Sequence, residues 1–281
     1  MEDKVFGFIE NIKQNKIETI EIFLKTLLER YNDNNLLGNI PLEYLKIIGS
    51  PNLEHFINVG KSILPEIVYR CKITPEKNVL DLGCGCGRFA IPFTSKEFKG
   101  SYYGIDIWQD GIIWCENNLS TLNPNLKFIH LKIDNPYYFE EFKQNVRNKF
   151  DLVKFIEPSS IDAVFAISTF THLIYEDIIE YFSELKKILK KGAIAYFTFF
   201  VIDEFFFEYR ERTGKFKHVE KVGDGIYYGY KYQDFFAGYT KELLMNIFKE
   251  HNFKVLGFEP GRWAEKPGSK MYQDTFYLMK G

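Results

Sequence analysis

A doubly wound α/β sheet is the fold class this sequence predicts, on three observations. Asn78-Val79-Leu80-Asp81-Leu82 reads as a short apolar strand that runs into Gly83-Cys84-Gly85-Cys86-Gly87-Arg88, a turn with glycine at every second position. Residues 161–167 and 193–200 are nearly continuous apolar runs, the pattern of parallel strands buried on both faces rather than alternating ones. Stretches of helical spacing alternate with these strand-like runs, the order that builds a parallel sheet.

Residues 1–70 read as a helical extension ahead of that sheet. Val5, Phe8, Ile9 and Ile12 share one helical face, and Ile17, Ile20, Phe23, Leu24, Leu27 and Leu28 share another, with a polar break at 13–16. Residues 31–35 read as a loop closed by Gly38, and residues 41–48 as a short helix. Ser50-Pro51 then reads as the N-cap and first turn of a helix that carries Leu53, Phe56, Ile57 and Leu64 towards the core. Two readings stay open for this extension: a packing layer over the sheet, or a cap that helps close a ligand pocket.

Glycine at 83, 85 and 87 lets the backbone take positive φ and approach a ligand with no Cβ in the way. Phe89, Ala90 and Ile91 read as the opening of a helix. A dinucleotide fingerprint, G-x-G-x-x-G, requires glycine where Arg88 stands. Asp81 adds a carboxylate two residues before the first glycine, which would repel a pyrophosphate and attract a cation. S-adenosylmethionine (SAM) is such a cation and carries no phosphate. Asp81 to Gly87 fits every position of the pattern E/D-x-G-x-G-x-G, and here the sequence resembles the class I SAM-dependent methyltransferases. The resemblance implies a Rossmann-like seven-stranded sheet whose last strand is antiparallel, spanning residues 71–281. It also implies SAM as cofactor, with Asp81, Gly83, Cys84, Gly85 and Gly87 around its methionine part.

Residues 101–106 read as a second strand ending in Asp106, where a carboxylate accepts hydrogen bonds from ribose hydroxyls in Rossmann-like units. The plainer alternative is a solvated strand-end acid. Ile107 and Trp108 follow and suit the adenine face, with ordinary core packing as the alternative for Trp108. Residues 110–120 read as a helix and 126–133 as a third strand, which ends at Asp134-Asn135-Pro136. By resemblance Asp134 binds the adenine amino group; an Asx turn before Pro136 is the alternative. Residues 136–160 give no firm element. The fourth strand, 161–167, delivers Ser168-Thr169-Phe170-Thr171-His172-Leu173 to the carboxyl end of the sheet, where open α/β folds bind ligands. Ser168 is a cofactor candidate there, and Phe170 and Thr171 are acceptor-lining candidates. Residues 175–189 read as a helix whose last turn is completed by Lys190-Lys191 and capped by Gly192, followed by a fifth strand at 193–200.

The pattern loosens over about 202–240, an aromatic-rich insert that includes His218 and reads as a lid suited to stacking on a sugar or another flat acceptor. A β-hairpin that only packs or dimerises is the alternative. Thr240 caps a helix at 241–250, and strands at 253–258 and 274–279 supply the antiparallel ending that the resemblance implies.

Composition narrows the function further. A net charge of −2 over 281 residues gives no general attraction to nucleic acid or to anionic membrane. The N-terminus lacks the regions of a signal peptide, and no apolar run reaches the roughly 18 residues of a membrane span. Cys84 and Cys86 stand too close for a zinc pair, and the four cysteines suggest no disulfide framework, so a reduced, cytoplasmic protein with no metal is expected. Aromatic content of 17 %, with 28 Phe and 18 Tyr, needs somewhere to go.

Methyl transfer from a sulfonium is an in-line displacement on an activated carbon, so the protein mainly aligns the groups and excludes water. A hydroxyl acceptor gains from a base. His172 is the best-placed base, with Asp203, His218 and Asp274 in reserve; packing or capping is its bland alternative. Ser-Thr-Phe-Thr-His-Leu resembles a pattern in bacterial methyltransferases of surface-glycan and small-molecule pathways. The fourth strand is not followed by Asn-Pro-Pro or Asp-Pro-Pro, the motif of enzymes that methylate base amino groups. A small-molecule or glycan hydroxyl is therefore the expected acceptor, contacted by His218, Arg262 and Trp263, with no nucleic-acid partner. Self-association stays open. The competing classes are a protein or nucleic-acid methyltransferase, a non-catalytic SAM-binding subunit, and an NAD(P)-dependent oxidoreductase, against which Arg88 and Asp81 argue.

Overall fold

The structure, a computed structural model, describes residues 18–132, 150–231, 234–268 and 270–281. The first helical face (Val5, Phe8, Ile9, Ile12) and Asp134 lie outside them. The chain divides into two compact units, Met1–Ile129 and His130–Gly281.

In the first unit helix α1 (18–29) buries Ile20, Phe23, Leu24 and Leu27. The expected loop at 31–35 is instead a 3-10 turn at Arg30–Asn32 and a helical turn α2 (Asn34–Leu37), because the Asp33 side chain accepts from the Leu36 N–H and caps it. Helix α3 (Leu42–Ile47) follows, with Pro41 at its N-cap. Helix α4 (Leu53–Arg70) starts later than Ser50-Pro51 suggested, since the Asn52 side chain takes the His55 N–H and is the cap. Strands β1 (Val79–Leu82) and β2 (Tyr102–Asp106) pair in parallel, Val79 opposite Tyr102 and Leu82 opposite Ile105. β3 (Leu126–His130) stands next to β2, giving the order β3-β2-β1.

No long helix follows the glycine turn, contrary to expectation. Only a 3-10 segment, Ile91–Thr94, forms there, because Pro92 removes an amide and Ser95 turns extended. Aromatic packing fills the space: Phe93 meets Phe98 at 4.9 Å and Tyr102 at 5.0 Å, and Phe23 of α1 stacks on Phe98. Helix α5 (Gln109–Cys115) runs on through a π-turn at Glu116–Ser120.

The second unit is built on β5 (Leu189–Ile202). β4 (Ile161–Ala166) pairs in parallel with it from Leu189 to Phe197, β10 (Asp274–Lys280) pairs antiparallel along its other edge from Ile194 to Phe199, and β8 (Asp234–Thr240) pairs in parallel with its end, Phe200–Ile202. β10 pairs antiparallel with β9 (Phe253–Glu259). Helix α6 (Tyr175–Ile188) precedes β5 directly. Lys190, Lys191 and Gly192 thus belong to the strand and not to a helix end. Gly192, at φ +81°, sits where the β4–β5 register slips, a bulge rather than a C-cap.

The insert is helix α7 (Glu204–Thr213) and an antiparallel run of β6 (Val219–Gly223), β7 (Ile226–Lys231) and β8. Because β8 is hydrogen-bonded to β5, the insert extends the sheet of this unit. Helix α8 (Lys241–Glu250), capped by the Thr240 hydroxyl on the Leu243 N–H, leads to β9. The aromatics go into two clusters. Phe170, Phe182, Phe197, Phe199, Phe248 and Phe276 form one. Phe200, Phe206, Phe236 and Trp263 centre the other. Each buried ring is worth roughly 1.5–3 kcal/mol of burial.

Candidate functional site

The glycine turn is the centre of the candidate site in the first unit. Gly83, Gly85 and Gly87 have φ of 76°, 54° and 82°, which L side chains rarely adopt. A Cβ at Gly87 would also stand 2.7 Å from Leu119 Cδ1. The Gly83 and Cys84 N–H groups both donate to the Ile105 carbonyl, tying the turn to β2. Gly83 is the one exposed residue between Val79 and Ile91, so it is the point of this buried turn that solvent or a ligand can reach. Asp106, at the end of β2, accepts from the Gly85 N–H at 2.7 Å on one oxygen and from the Trp108 N–H at 2.9 Å on the other. Two backbone donors thus fix its carboxylate plane. Ile107 beside it is half-buried; Trp108 packs edge-on against Tyr44 at 4.8 Å.

Asp81 and Cys84 are corrected as direct contacts. Asp81 is buried and accepts from the Tyr102 hydroxyl at 2.5 Å, and burial pushes its carboxyl up to about 8. Its side chain lies inside the sheet layer. The Cys84 thiol is buried as well, directed at the Gly85 carbonyl with that of Cys115, and burial holds both thiols well above the ordinary range.

The N-terminal helices reach the turn directly, through residues that periodicity did not single out. Tyr31 is fully buried and donates its hydroxyl to the Arg88 carbonyl at 2.7 Å. The Arg88 guanidinium donates to the Ile48 carbonyl and the Ser50 hydroxyl and lies over the Phe56 ring, while its buried Nε has no hydrogen-bond partner. Ile48 is so close that a Cβ on Gly85 would meet it at 2.8 Å. The signal available in sequence was Arg88 itself, a cation placed next to a loop with little else to pair it.

In the second unit, Ser168 follows β4 at φ 59°. Its N–H donates to the Thr198 hydroxyl at 2.8 Å and its hydroxyl to Gln273 Oε1 at 3.0 Å. Phe170 and Thr171 are not lining residues. Phe170 is fully buried, stacked on Phe199 at 5.1 Å; the Thr171 hydroxyl, also buried, donates to the Ser168 carbonyl. His172 closes the 3-10 turn Phe170–His172 and is half-buried. Its Nδ1 lies 2.7 Å from the Phe235 carbonyl oxygen, which can only accept. Nδ1 therefore carries the proton, and in the neutral ring the lone pair is on Nε2.

Trp263 and the reserve acids are likewise structural. Trp263 is buried and donates its indole N–H to Asp274 Oδ2 at 2.6 Å. Asp274 also accepts from the Val201 and Gly261 amides and from Lys266 at 2.9 Å. Asp203 caps α7 through the Phe206 N–H and pairs with Lys266 at 2.8 Å. These groups fix the β5 end, α7 and the start of β10 to one another. Arg262 is exposed, its guanidinium donating to the Lys270 carbonyl; His218 is half-buried beside Phe216. Among the described residues no group of three or more His, Cys, Asp or Glu converges on a metal position, and no helix is long and apolar enough to cross a membrane.

Residues 62–257 match the family described as methyltransferase domain, which is more than half of the chain. The chain belongs to this family. The methyltransferase is similar in fold to solved structures of low identity. One is a SAM-dependent methyltransferase from Methanosarcina mazei (18 % identity, 76 % of this chain and 96 % of that one, TM-score 0.53). Another is a protein from Pyrococcus horikoshii OT3 (18 %, 85 % and 99 %, TM-score 0.55). A third is a SAM-dependent methyltransferase from Aquifex aeolicus (14 %, 86 % and 100 %, TM-score 0.51). The methyltransferase has the α/β Rossmann-like fold of this group, with parallel central strands, antiparallel strands at β9–β10 and N-terminal helices, and SAM is its cofactor. Seven of its strands, β1–β5, β9 and β10, make the expected set, and β6–β8 are additional. The chemistry of the first unit's candidate site suits that cofactor: an open backbone at Gly83 and an oriented carboxylate at Asp106.

Proposed function

We propose that this methyltransferase O-methylates a hydroxyl of a small molecule or sugar/glycan precursor, with His172 as the base. The observation that carries the reading is the bond from His172 Nδ1–H to the Phe235 carbonyl, which makes Nε2 the basic nitrogen of a ring at the carboxyl end of β4. That end of a strand is where this fold class receives ligands. Asp106 would take the ribose hydroxyls on a carboxylate already oriented by Gly85 and Trp108. Gly83 would supply backbone under the methionine part. Ile107 would contact the adenine, and Ser168 would contribute a polar edge. Bound SAM supplies an electrophilic methyl carbon. The chain's own residues hold the acceptor, keep water out and take the hydroxyl proton on Nε2. His218 and the exposed Arg262 are the acceptor contacts that stay accessible, Arg262 for an anionic group. The net charge of −2 gives no support to a nucleic-acid acceptor.

The test is His172→Ala, assayed with methyl-labelled SAM against a panel of sugars, sugar nucleotides and phenols. Loss of about 10²- to 10⁴-fold in kcat, with S-adenosylhomocysteine affinity unchanged, is expected of a general base. A loss below tenfold removes His172 from that role.

A further inference from the structure

We propose that the β7–β8 arm of the insert is the positioning element of His172, with Tyr239 and Tyr228 as its positioning residues; this rests on the reading of His172 as the base. Three consecutive contacts grip the segment after β4. His172 Nδ1 donates to the Phe235 carbonyl of β8, the Leu173 carbonyl accepts from the Tyr239 hydroxyl at 2.6 Å, and the Tyr175 N–H donates to the Tyr228 hydroxyl at 2.6 Å. The two phenols are 3.5 Å apart, so the grips are joined. On the other side Phe170 is wedged in the aromatic cluster and Thr171 is tied to Ser168.

A connection that merely joins a strand to a helix does not call for this. Helix α6 has no side-chain cap of its own at Ile174, and one of its orphan amides, that of Tyr175, is satisfied from a different part of the chain. Tyr239 is fully buried, and the Leu173 carbonyl at 2.6 Å is the main acceptor that offsets the burial of its hydroxyl. Phenylalanine would fill the same core space without that requirement. The contacts converge on one result: the ring stays against the Phe235 carbonyl, and its neutral tautomer stays fixed with the basic nitrogen at Nε2. The insert thereby acts as a fixed arm of the sheet and not as a moving cover.

The experiment is nitrogen NMR on the full chain labelled with 15N-histidine, comparing wild type, Tyr239→Phe and Tyr228→Phe. His172 is assigned by His172→Gln among the five histidines. Wild type above the titration range should show His172 with a protonated Nδ1 and a pyridine-type Nε2. In Tyr239→Phe both nitrogens should move towards a tautomer-averaged shift, while His55, His130 and His251 hold their wild-type shifts. Tyr228, only half-buried, gives the milder change and serves if Tyr239→Phe does not fold. Unchanged His172 shifts in a folded phenol variant overturn the proposal. A parallel titration of wild type with S-adenosylhomocysteine keeps the two readings apart: absent binding sinks the cofactor site, while the histidine spectrum still decides the arm.

Discussion

The two candidate sites, one in each unit, are built on different principles. The backbone of the glycine turn and its bond to Asp106 are made by neighbours in sequence: β1, the turn and β2 lie within residues 79–106, Gly85 donates to Asp106, and the N-terminal helices add contacts to Arg88. The His172 turn is made by strangers. Its partners Phe235, Tyr239 and Tyr228 come from 53 to 66 positions away, and Ser168 is held by Gln273 from 105 positions away. A locally built site announces itself as a motif, and a site assembled from distant strands leaves only isolated residues in the sequence.

The largest effect that would break this contrast lies in the long-range half. Asp274→Asn removes a carboxylate from the buried Lys266, and urea unfolding should register a loss of about 3 kcal/mol. The double variant Asp274→Leu, Lys266→Met should recover much of that, because a missing ion pair costs less than a broken one. Equal losses in the two would show that packing and not charge holds this corner.

In the local half, Asp106→Ala should weaken S-adenosylhomocysteine by about 3 kcal/mol, roughly a hundredfold, in calorimetric titration. Asp106→Glu should lose less. A loss in Asp106→Ala below threefold would leave Asp106 as a turn-stabilising acid only.

Asp81 makes a pH test. Its carboxyl is lifted from 3.8 to about 8 by burial, so the folded state binds the proton more tightly than the unfolded state. The contribution is complete below about pH 4 and is lost as pH rises towards 8. Asp81→Asn stays neutral and keeps an acceptor for Tyr102, so its Tm should fall less than that of wild type between about pH 5 and pH 8. The smallest effect belongs to Tyr31→Phe, which frees the Arg88 carbonyl and should cost about 1 kcal/mol.

The same contrast explains what could be read beforehand. The strand before the glycine turn, the turn itself and Asp106 at the end of β2 follow from short-range pattern, the closing antiparallel pair follows from the family resemblance, and the structure has them. The helix expected after Phe89 was misread because Pro92 and Ser95 stop it within four residues. Gly192 looked like a helix cap because glycine after lysines suits both a cap and a bulge, and only the β4 register distinguishes them. Phe170 and Trp263 looked like binding aromatics because composition cannot say which rings the two clusters will absorb. The Asp203–Lys266–Asp274 cluster had no signal at all: three ionisable residues on different elements meet only after β5 and β10 have paired.

That cluster also gives the second unit a clock. The Lys266 amine is 1 % exposed and engaged with three oxygens, so an amine-reactive reagent meets it only when the unit opens. Acylation of Lys266, followed by mass spectrometry against the exposed Lys270, would then time those openings at a single named atom.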